Sequence, residues 1–262
     1  MASQEARSDP SVKDAPPPAT AFRAVAAFAL DGDLRFLSHH DEVRLLTRAL
    51  VRARWPIAYT AGFNPRARIV LPLPRSVGMA SECQLMIVWL REQRCPAELA
   101  DSLAATLPRG AALQGVTTPV PRGMPHARST SYEVRLELED GKKLAARIQR
   151  LLACEQLCVE RGFGPKRPKR RVDIRPYIEM LTTDGVELRM RQVFEAQRTA
   201  RPSEIITELG LDADVYNSRV RRVAVEWDME LAGPTARPAT PERNSFAHQE
   251  KGTRKDTDSI RP

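Results

Sequence analysis

The sequence predicts an α+β protein built from two tandem ferredoxin-like halves, each with the order β-α-β-β-α-β and an antiparallel sheet. Strand-like alternation of apolar residues and helix-like spacings of three and four follow one another twice along the chain. A stretch rich in proline and glycine separates the two runs. The predicted divisions are a disordered tail, a first half, a linker, a second half and a second disordered tail: residues 1–20, 21–119, 120–130, 131–228 and 229–262.

In the first half, strand and helix signals follow one another in the order of this plan. The apolar segment 22–30 ends at an Asp-Gly-Asp turn signal and predicts the first strand. A helix is predicted over 39–53, because Ser38 and Asp41 form a capping box before an apolar stripe. The remaining predictions are two short strands, a longer strand, a helix that begins at a proline and a closing strand: residues 57–60, 68–73, 83–90, 96–107 and 111–118.

The second half restarts with apolar residues that alternate from Tyr132 to Leu138, as in a half-buried strand. An Asp184-Gly185 turn signal predicts a hairpin between two later strands. This half carries one strand signal more than the plan contains. Its further predictions are a helix over 142–152, strands over 157–161, 172–181 and 186–193, a helix over 202–209 and a strand over 223–227.

The charge of the chain favours an anionic partner. The 262 residues include 41 lysines and arginines against 33 aspartates and glutamates, a formal net charge of +8. Residues 142–175 hold eleven basic and three acidic residues, so this segment carries as much net charge as the whole chain. A second excess, seven arginines against two acidic residues, lies between Arg35 and Arg68. Nucleic acid is therefore the favoured partner class.

Several other classes of protein lose support. No window approaches the roughly 20 uninterrupted apolar residues of a membrane span, and no signal peptide is recognised, so we expect a cytoplasmic protein. The four cysteines match neither a disulfide framework, a zinc knuckle nor a three-cysteine iron–sulfur motif. Motifs of nucleotide hydrolases, dinucleotide-binding enzymes, zinc proteases and serine hydrolases are absent. We therefore predict no metal and no cofactor of its own.

Residues 161–171 form the most basic loop of the sequence, because two glycines and two prolines disfavour a helix or a strand there. Its cations can neutralise phosphates, and its phenylalanine can stack on an unpaired base. The alternatives are a solvated surface loop and a docking strip for an acidic protein. The candidate RNA-binding residues of this loop are Arg161, Phe163, Lys166, Arg167, Lys169, Arg170 and Arg171.

Three further groups are candidate phosphate contacts, each with a structural alternative. A Gly-Phe-Asn-Pro-Arg segment combines a flexible glycine with donors that recognise phosphate, or it is only a rigid turn. Arginines at every fourth helical position can follow a phosphate backbone, or they are an ordinary charged helix face. An arginine near Asp173 binds phosphate or forms a surface ion pair. In the same order, these residues are Gly62, Phe63, Asn64, Arg66 and Arg68; Arg44, Arg48 and Arg52; and Arg175.

His39, His40 and Asp41 raise the possibility of acid–base catalysis, because histidine titrates near neutrality and a carboxylate can orient it. Adjacent helical residues do not face each other, however, and the capping box already uses Asp41. The structural interpretation is favoured, and His39 and Asp41 stay as candidate catalytic residues. The corresponding alternative function is a metal-independent ribonuclease or transferase.

Five sequence motifs together resemble one bacterial family, the radical SAM-associated proteins, whose domain has no known function. They are Arg35-Phe36-Leu37-Ser38-His39-His40-Asp41, the segment from Trp55 to Arg68, Pro72-Leu73-Pro74, the segment from Gly78 to Ser81 and Val172-Asp173-Ile174-Arg175-Pro176. The chain departs from the family pattern at His40, Ala67 and Gln84, where leucine, proline and an acidic residue are usual.

This resemblance implies an accessory role. In the family, the domain occurs alone or fused behind a B12-binding radical SAM protein, and it is often encoded near a ribonuclease of the E/G type. We therefore expect a protein that binds tRNA or rRNA to assist a modifying or processing enzyme, with a radical SAM protein or such a ribonuclease as its partner. Any iron–sulfur cluster, SAM or cobalamin is expected on that partner. A basic protein–protein adaptor is a further alternative.

Overall fold

The computed structural model describes residues 22–120, 122–162 and 168–229. Over these residues it confirms a mixed α+β fold with a mostly antiparallel sheet. The strands are β1 (Phe22–Leu30), β2 (Ile69–Val70), β3 (Ala80–Leu90), β4 (Ala111–Thr117), β5 (Ala127–Arg135), β6 (Cys158–Arg161), β7 (Arg170–Asp173), β8 (Ile178–Thr183), β9 (Glu187–Val193) and β10 (Val220–Trp227). The α-helices are α1 (His39–Arg52), α2 (Pro96–Ala104), α3 (Leu138–Leu152), α4 (Pro202–Glu208) and α5 (Ala213–Tyr216).

Eight strands form one continuous sheet, in the order β4-β1-β3-β10-β5-β9-β8 with β2 paired to β3. Neighbouring strands are antiparallel except β3 and β10, which run parallel and pair Ala80 with Arg221 and Ser81 with Arg222. This parallel contact joins the strands of the two halves into one sheet. β6 and β7 form a two-stranded hairpin outside the large sheet.

Two hydrophobic cores lie between the helices and one face of this sheet. The first core packs α1 and α2 against β1 and β3, and the second packs α3 and α4 against β5 and β9. Val159 of β6 and Ile174, which follows β7, belong to the second core, so the small hairpin packs on the helix side. Representative buried residues are Phe28, Leu46, Leu50, Met86 and Leu103 in the first core, and Val134, Leu144, Met190 and Ile205 in the second.

Some predicted strands are shorter or end elsewhere. The strand predicted over 172–181 is interrupted by a 3-10 helix at Arg175–Tyr177, because Pro176 cannot donate a ladder hydrogen bond. Leu138 was predicted at the end of a strand but begins α3 and is 73% exposed. The segment predicted as a linker over 120–130 contains the start of β5 at Ala127. Local alternation does not mark these boundaries.

Three buried charged side chains lie near the contact of β3 with β10, and we call Glu42, Arg75 and Arg222 the joint. Arg222 is only 1% exposed, although it lies in a strand where a surface cation would be expected. Its guanidinium donates to the Leu73 carbonyl at 3.1 Å and to Ser81 Oγ at 3.3 Å, and it also donates to the side chain of Gln84. The Arg222 side chain of the last strand therefore forms hydrogen bonds with three residues of the first half.

Arg75 forms the other part of the joint. Its Nε lies 3.2 Å from Glu42 Oε2, and the two side chains are 1% and 2% exposed. Its terminal nitrogens donate to the backbone oxygens of Leu34, Arg35 and Met79. Arg75 thus fixes the start of α1 against the segment that leads into β3. A buried charge of this kind is tolerated because it is paired and hydrogen-bonded.

We expect Arg75→Met to lower the free energy of unfolding by about 3 to 5 kcal/mol, because it leaves the Glu42 carboxylate buried without its cation. The matched control is Arg94→Met. Arg94 pairs with Glu92 at the surface, where the side chains are 51% and 54% exposed, and the expected loss there is below about 1 kcal/mol. Urea denaturation measures both variants, and equal losses would contradict the role of the joint.

Burial raises the pKa of the Glu42 carboxyl above its ordinary value, although the charges of Arg75, Arg222 and His39 oppose the shift. A raised carboxyl pKa means that the folded state binds the proton more tightly than the unfolded state, so stability is lost as pH rises above the ordinary value. We therefore expect Glu42→Gln to gain stability relative to the wild type as pH rises from about 4 to 7. Denaturation at several pH values measures this difference, and a difference independent of pH would contradict the assignment.

Candidate nucleic-acid interface

A hairpin leaves the sheet between α1 and β2, and we call its residues 58–68 the arm. Its base is attached to the end of β3. The Ala58 amide donates to the Trp89 carbonyl at 2.8 Å, and the Trp89 amide donates to the Arg68 carbonyl at 3.0 Å. The Arg68 amide also donates to the Ala58 carbonyl at 2.9 Å. The arm is therefore anchored by backbone hydrogen bonds at its base.

The tip of the arm is a turn that contains a glycine with a positive φ. The Thr60 amide donates to the Arg66 carbonyl at 2.8 Å, and the Arg66 amide donates to Thr60 Oγ1 at 3.0 Å. Gly62 has a φ of 120°, a conformation that favours glycine over other residues. The side chain of Phe63 next to it is 99% exposed. The turn thus presents an aromatic ring to solvent without contributing that ring to either core.

Other recognition groups surround Phe63 on the arm. Tyr59 is 48% exposed, and Asn64 and Arg66 are exposed as well. Within the described part of the chain, the guanidinium of Arg66 forms no hydrogen bond or ion pair. The arm therefore combines two aromatic rings, an amide and an available cation, which are the groups that bind bases and phosphates in single-stranded nucleic acid.

Arg68 and Trp89 form a stacked pair at the base of the arm. The guanidinium carbon of Arg68 lies 5.2 Å from the centre of the Trp89 ring, within the range of a cation–π interaction. Neither Trp89 nor Tyr59 was among the sequence-predicted site residues. The signal for Trp89 was present, because strand alternation places it opposite the core residues Val88 and Leu90. The signal for Tyr59 was its position beside the glycine-containing turn.

The predicted arginine stripe lies on the exposed side of α1. Arg44 contacts the Asp41 carboxylate at 3.3 Å, and Arg52 donates to the Thr106 carbonyl at 2.9 Å, just after α2. Arg48 forms no hydrogen bond or ion pair with any described residue. The stripe therefore divides into two arginines with intramolecular partners and one without.

His39 and His40 are exposed at the start of α1, with ring centres 5.9 Å apart. The Ser38 cap is confirmed, since Ser38 Oγ accepts from the Asp41 amide at 3.2 Å and donates to Asp41 Oδ2 at 2.7 Å. The hydrogen bond from Ser38 contributes most to lowering the pKa of Asp41, and Arg44 adds to it. In the described contacts, the Asp41 carboxylate thus binds Ser38 and Arg44 and does not orient a histidine.

The hairpin of β6 and β7 carries the described part of the most basic segment. Arg161 forms a two-pronged ion pair with Glu204 of α4, with both N···O distances 2.7 Å, and it donates to the Thr199 carbonyl at 2.7 Å. Lys169 lies 3.4 Å from Glu160, and Arg170 and Arg171 are exposed. The predicted contacts Phe163, Lys166 and Arg167 lie outside the described residues.

Arg175 and Asp173 hold backbone groups near the 3-10 helix that precedes β8. Arg175 donates to the carbonyls of Leu152 at 2.9 Å and Ile178 at 3.2 Å. Asp173 Oδ1 accepts from the amides of Leu157 at 2.8 Å and Arg175 at 3.0 Å. Both side chains therefore tie the end of α3 to the strands that follow.

Within residues 22–120, 122–162 and 168–229, no three His, Cys, Asp or Glu side chains are grouped as metal ligands. Cys83, Cys95, Cys154 and Cys158 are free thiols, and burial raises the pKa of Cys83. No helix in the described ranges is both long enough and apolar enough to cross a membrane.

Comparison with known proteins identifies the family. No curated protein matches the chain. Residues 23–202, more than half of the chain, match the profile of a family described as "Uncharacterized protein conserved in bacteria (DUF2344)". This match runs from β1 to the start of α4 and so includes the arm, Trp89 and the hairpin of β6 and β7. The chain therefore belongs to this bacterial family of uncharacterized proteins.

Proposed function

We propose that the protein is an RNA-binding accessory protein that presents tRNA or rRNA to a modifying or processing enzyme. The observation that carries this proposal is the arm, where Phe63 is 99% exposed beside Arg66. An aromatic ring in that position can stack on an unpaired base while the cation binds a phosphate. The excess of basic residues in the chain supports an anionic partner in the same way.

The proposal includes a ferredoxin-like plan for each half. Two runs of strands support it: β4-β1-β3 continued by β2, and β10-β5-β9-β8. In both runs the first strand of the half lies between its last and its third strand, which is the strand order of that plan. The hairpin of β6 and β7 is then an insertion between α3 and β8 of the second half.

The proposed partner is a radical SAM enzyme in the cytoplasm, and an E/G-type ribonuclease is the second candidate partner. The support is the set of motifs from Arg35 to Arg68, which resemble the radical SAM-associated proteins. On this proposal the enzyme holds the iron–sulfur cluster, SAM or cobalamin. The accessory protein supplies the surface that binds the RNA.

We expect Phe63→Ala to weaken binding of fluorescently labelled bulk tRNA by about tenfold, because one stacked base is lost. Fluorescence anisotropy at low salt measures the dissociation constant. The matched control is Phe36→Ala, since Phe36 is also an exposed phenylalanine, 51% exposed, but precedes α1 outside the arm. Its binding should equal that of the wild type. Binding unchanged by Phe63→Ala would remove the arm from the interface, and a wild-type protein that binds no tRNA would refute the proposed function.

Asn64→Ala and Arg66→Ala are expected to reduce the preference for a cognate RNA over a random one by about 1 to 3 kcal/mol, because fixed hydrogen bonds distinguish bases. Competition binding with both RNAs measures this preference. Arg48→Ala serves as the control for loss of charge, since Arg48 is an exposed arginine on the helix side. It should weaken both RNAs equally. Uniform weakening by the arm variants as well would contradict a role in discrimination.

A further inference from the structure

The large sheet has a second face, opposite to the helices, and we call it the open face. Alternation along β1 and β3 defines it, because Ala24 and Ala26 in β1 and Val88 and Leu90 in β3 belong to the first core. The intervening side chains point away from the helices. On this face of the first half, Arg23 and Trp89 are partly exposed, whereas Val25 and Ile87 between them are buried.

Trp89 lies among arginines on this face. Arg23 of β1 is the direct cross-strand partner of Trp89, which places the two side chains next to each other on the same face. Arg68 lies over the indole ring at 5.2 Å. Arg23 donates a hydrogen bond to the Gly123 carbonyl. Arg68 thus contacts an aromatic ring, and Arg23 contacts a backbone oxygen. Neither contact neutralises the positive charge.

Burial lowers the pKa of Arg23, and the nearby positive charge of Arg122 lowers it further. Because both effects disfavour the charged guanidinium, an anion bound beside Arg23 would stabilise that charge.

The second half of the open face differs. Two arginines of β9, Arg189 and Arg191, lie on the opposite side of this strand from the core residues Leu188 and Met190, and each forms ion pairs with carboxylates of the chain itself. Their ion pairs are Arg189 with Asp184 and Glu187, and Arg191 with Glu179 and Glu226. The charges of Arg189 and Arg191 are thus compensated within the chain, whereas the described contacts of Arg23 and Arg68 include no carboxylate.

We infer that Trp89, Arg68 and Arg23 form a platform for an unpaired segment of RNA, continuous with the arm. This inference rests on the proposed function and names its substrate class. The indole and the guanidinium stacked on it offer flat surfaces for a base, and Arg23 offers donors for the adjoining phosphate. A duplex hides the faces of its bases, so single-stranded RNA is the form that this platform recognises.

Tryptophan fluorescence tests the platform directly. A short single-stranded oligouridylate should quench the emission of the wild-type protein, and Trp89→Phe should remove most of that quenching. Trp55 reports little of it, because its side chain is only 5% exposed. Trp227 ends β10 two residues before Met229, which lies near Gly123, so Trp227→Phe is the matched control and should keep the quenching. A blunt RNA duplex of equal length should quench weakly. Heparin, a polyanion without bases, should compete with the RNA but leave the emission unchanged.

A second pair of variants tests the charge without altering the tryptophan. Arg23→Gln should weaken binding of the oligouridylate by about tenfold, as for one lost charge-assisted contact. It should also flatten the log–log salt slope by about 0.7. Arg189→Gln removes the same charge from the compensated part of the open face and should change affinity less than about twofold. Melting temperatures near that of the wild type establish that each variant is folded.

The outcomes separate this inference from the proposed function. If Phe63→Ala weakens tRNA binding while Trp89→Phe and Arg23→Gln bind and quench like the wild type, the platform is wrong and the arm alone binds RNA. Equal quenching by duplex and single strand overturns the substrate class. Quenching by heparin as strong as that by RNA overturns base stacking and indicates a general polyanion surface, such as one for an acidic protein. Absence of any RNA binding by the wild type refutes both.

Discussion

The buried guanidinium of Arg222 is the interaction on which the rest of the architecture depends. It belongs to the last strand of the second half, yet its partners are the Leu73 carbonyl, Ser81 and Gln84 of the first half. Water cannot satisfy it at 1% exposure, so these partners have to be in place. The parallel contact of β3 with β10 depends on these hydrogen bonds. The position of the segment that Arg75 joins to Glu42 depends on them as well. The strands of both halves thereby form one sheet.

Much of the local structure was predictable because its causes are local. The Ser38 cap and the Asp184-Gly185 hairpin arise from residues within a few positions of one another, and both occur as the sequence indicates. The joint was not predictable in the same way. Arg222 lies in an alternating strand, where a cation normally faces solvent, and only the distant partner strand turns that position into a buried one. Pairing between residues so far apart leaves no periodic signal in the sequence.

The residues of the candidate site likewise differ in whether the sequence alone could identify them. The Gly-Phe-Asn-Pro-Arg turn was identifiable because glycine and proline limit the backbone conformations that the segment can adopt. The predicted phosphate contacts Arg161 and Arg175 looked equivalent to Arg66 in the sequence. In the structure, Arg161 forms an ion pair with Glu204, and Arg175 donates to two backbone carbonyls. The Arg66 side chain, by contrast, forms no hydrogen bond or ion pair with a described residue. The number of cations therefore predicts an anionic partner, whereas only the contacts of each cation show which of them are available at the surface.

β3 places the joint and the candidate surface at its two ends. Its first residues pair with β10, and its last residues hold β2, the base of the arm and Trp89. A strand of 11 residues spans roughly 35 Å, so the arm lies about one strand length from the contact between the halves. The joint keeps that separation fixed. If RNA binds at the arm, as we propose, the second half therefore stays accessible to the proposed partner enzyme at the same time.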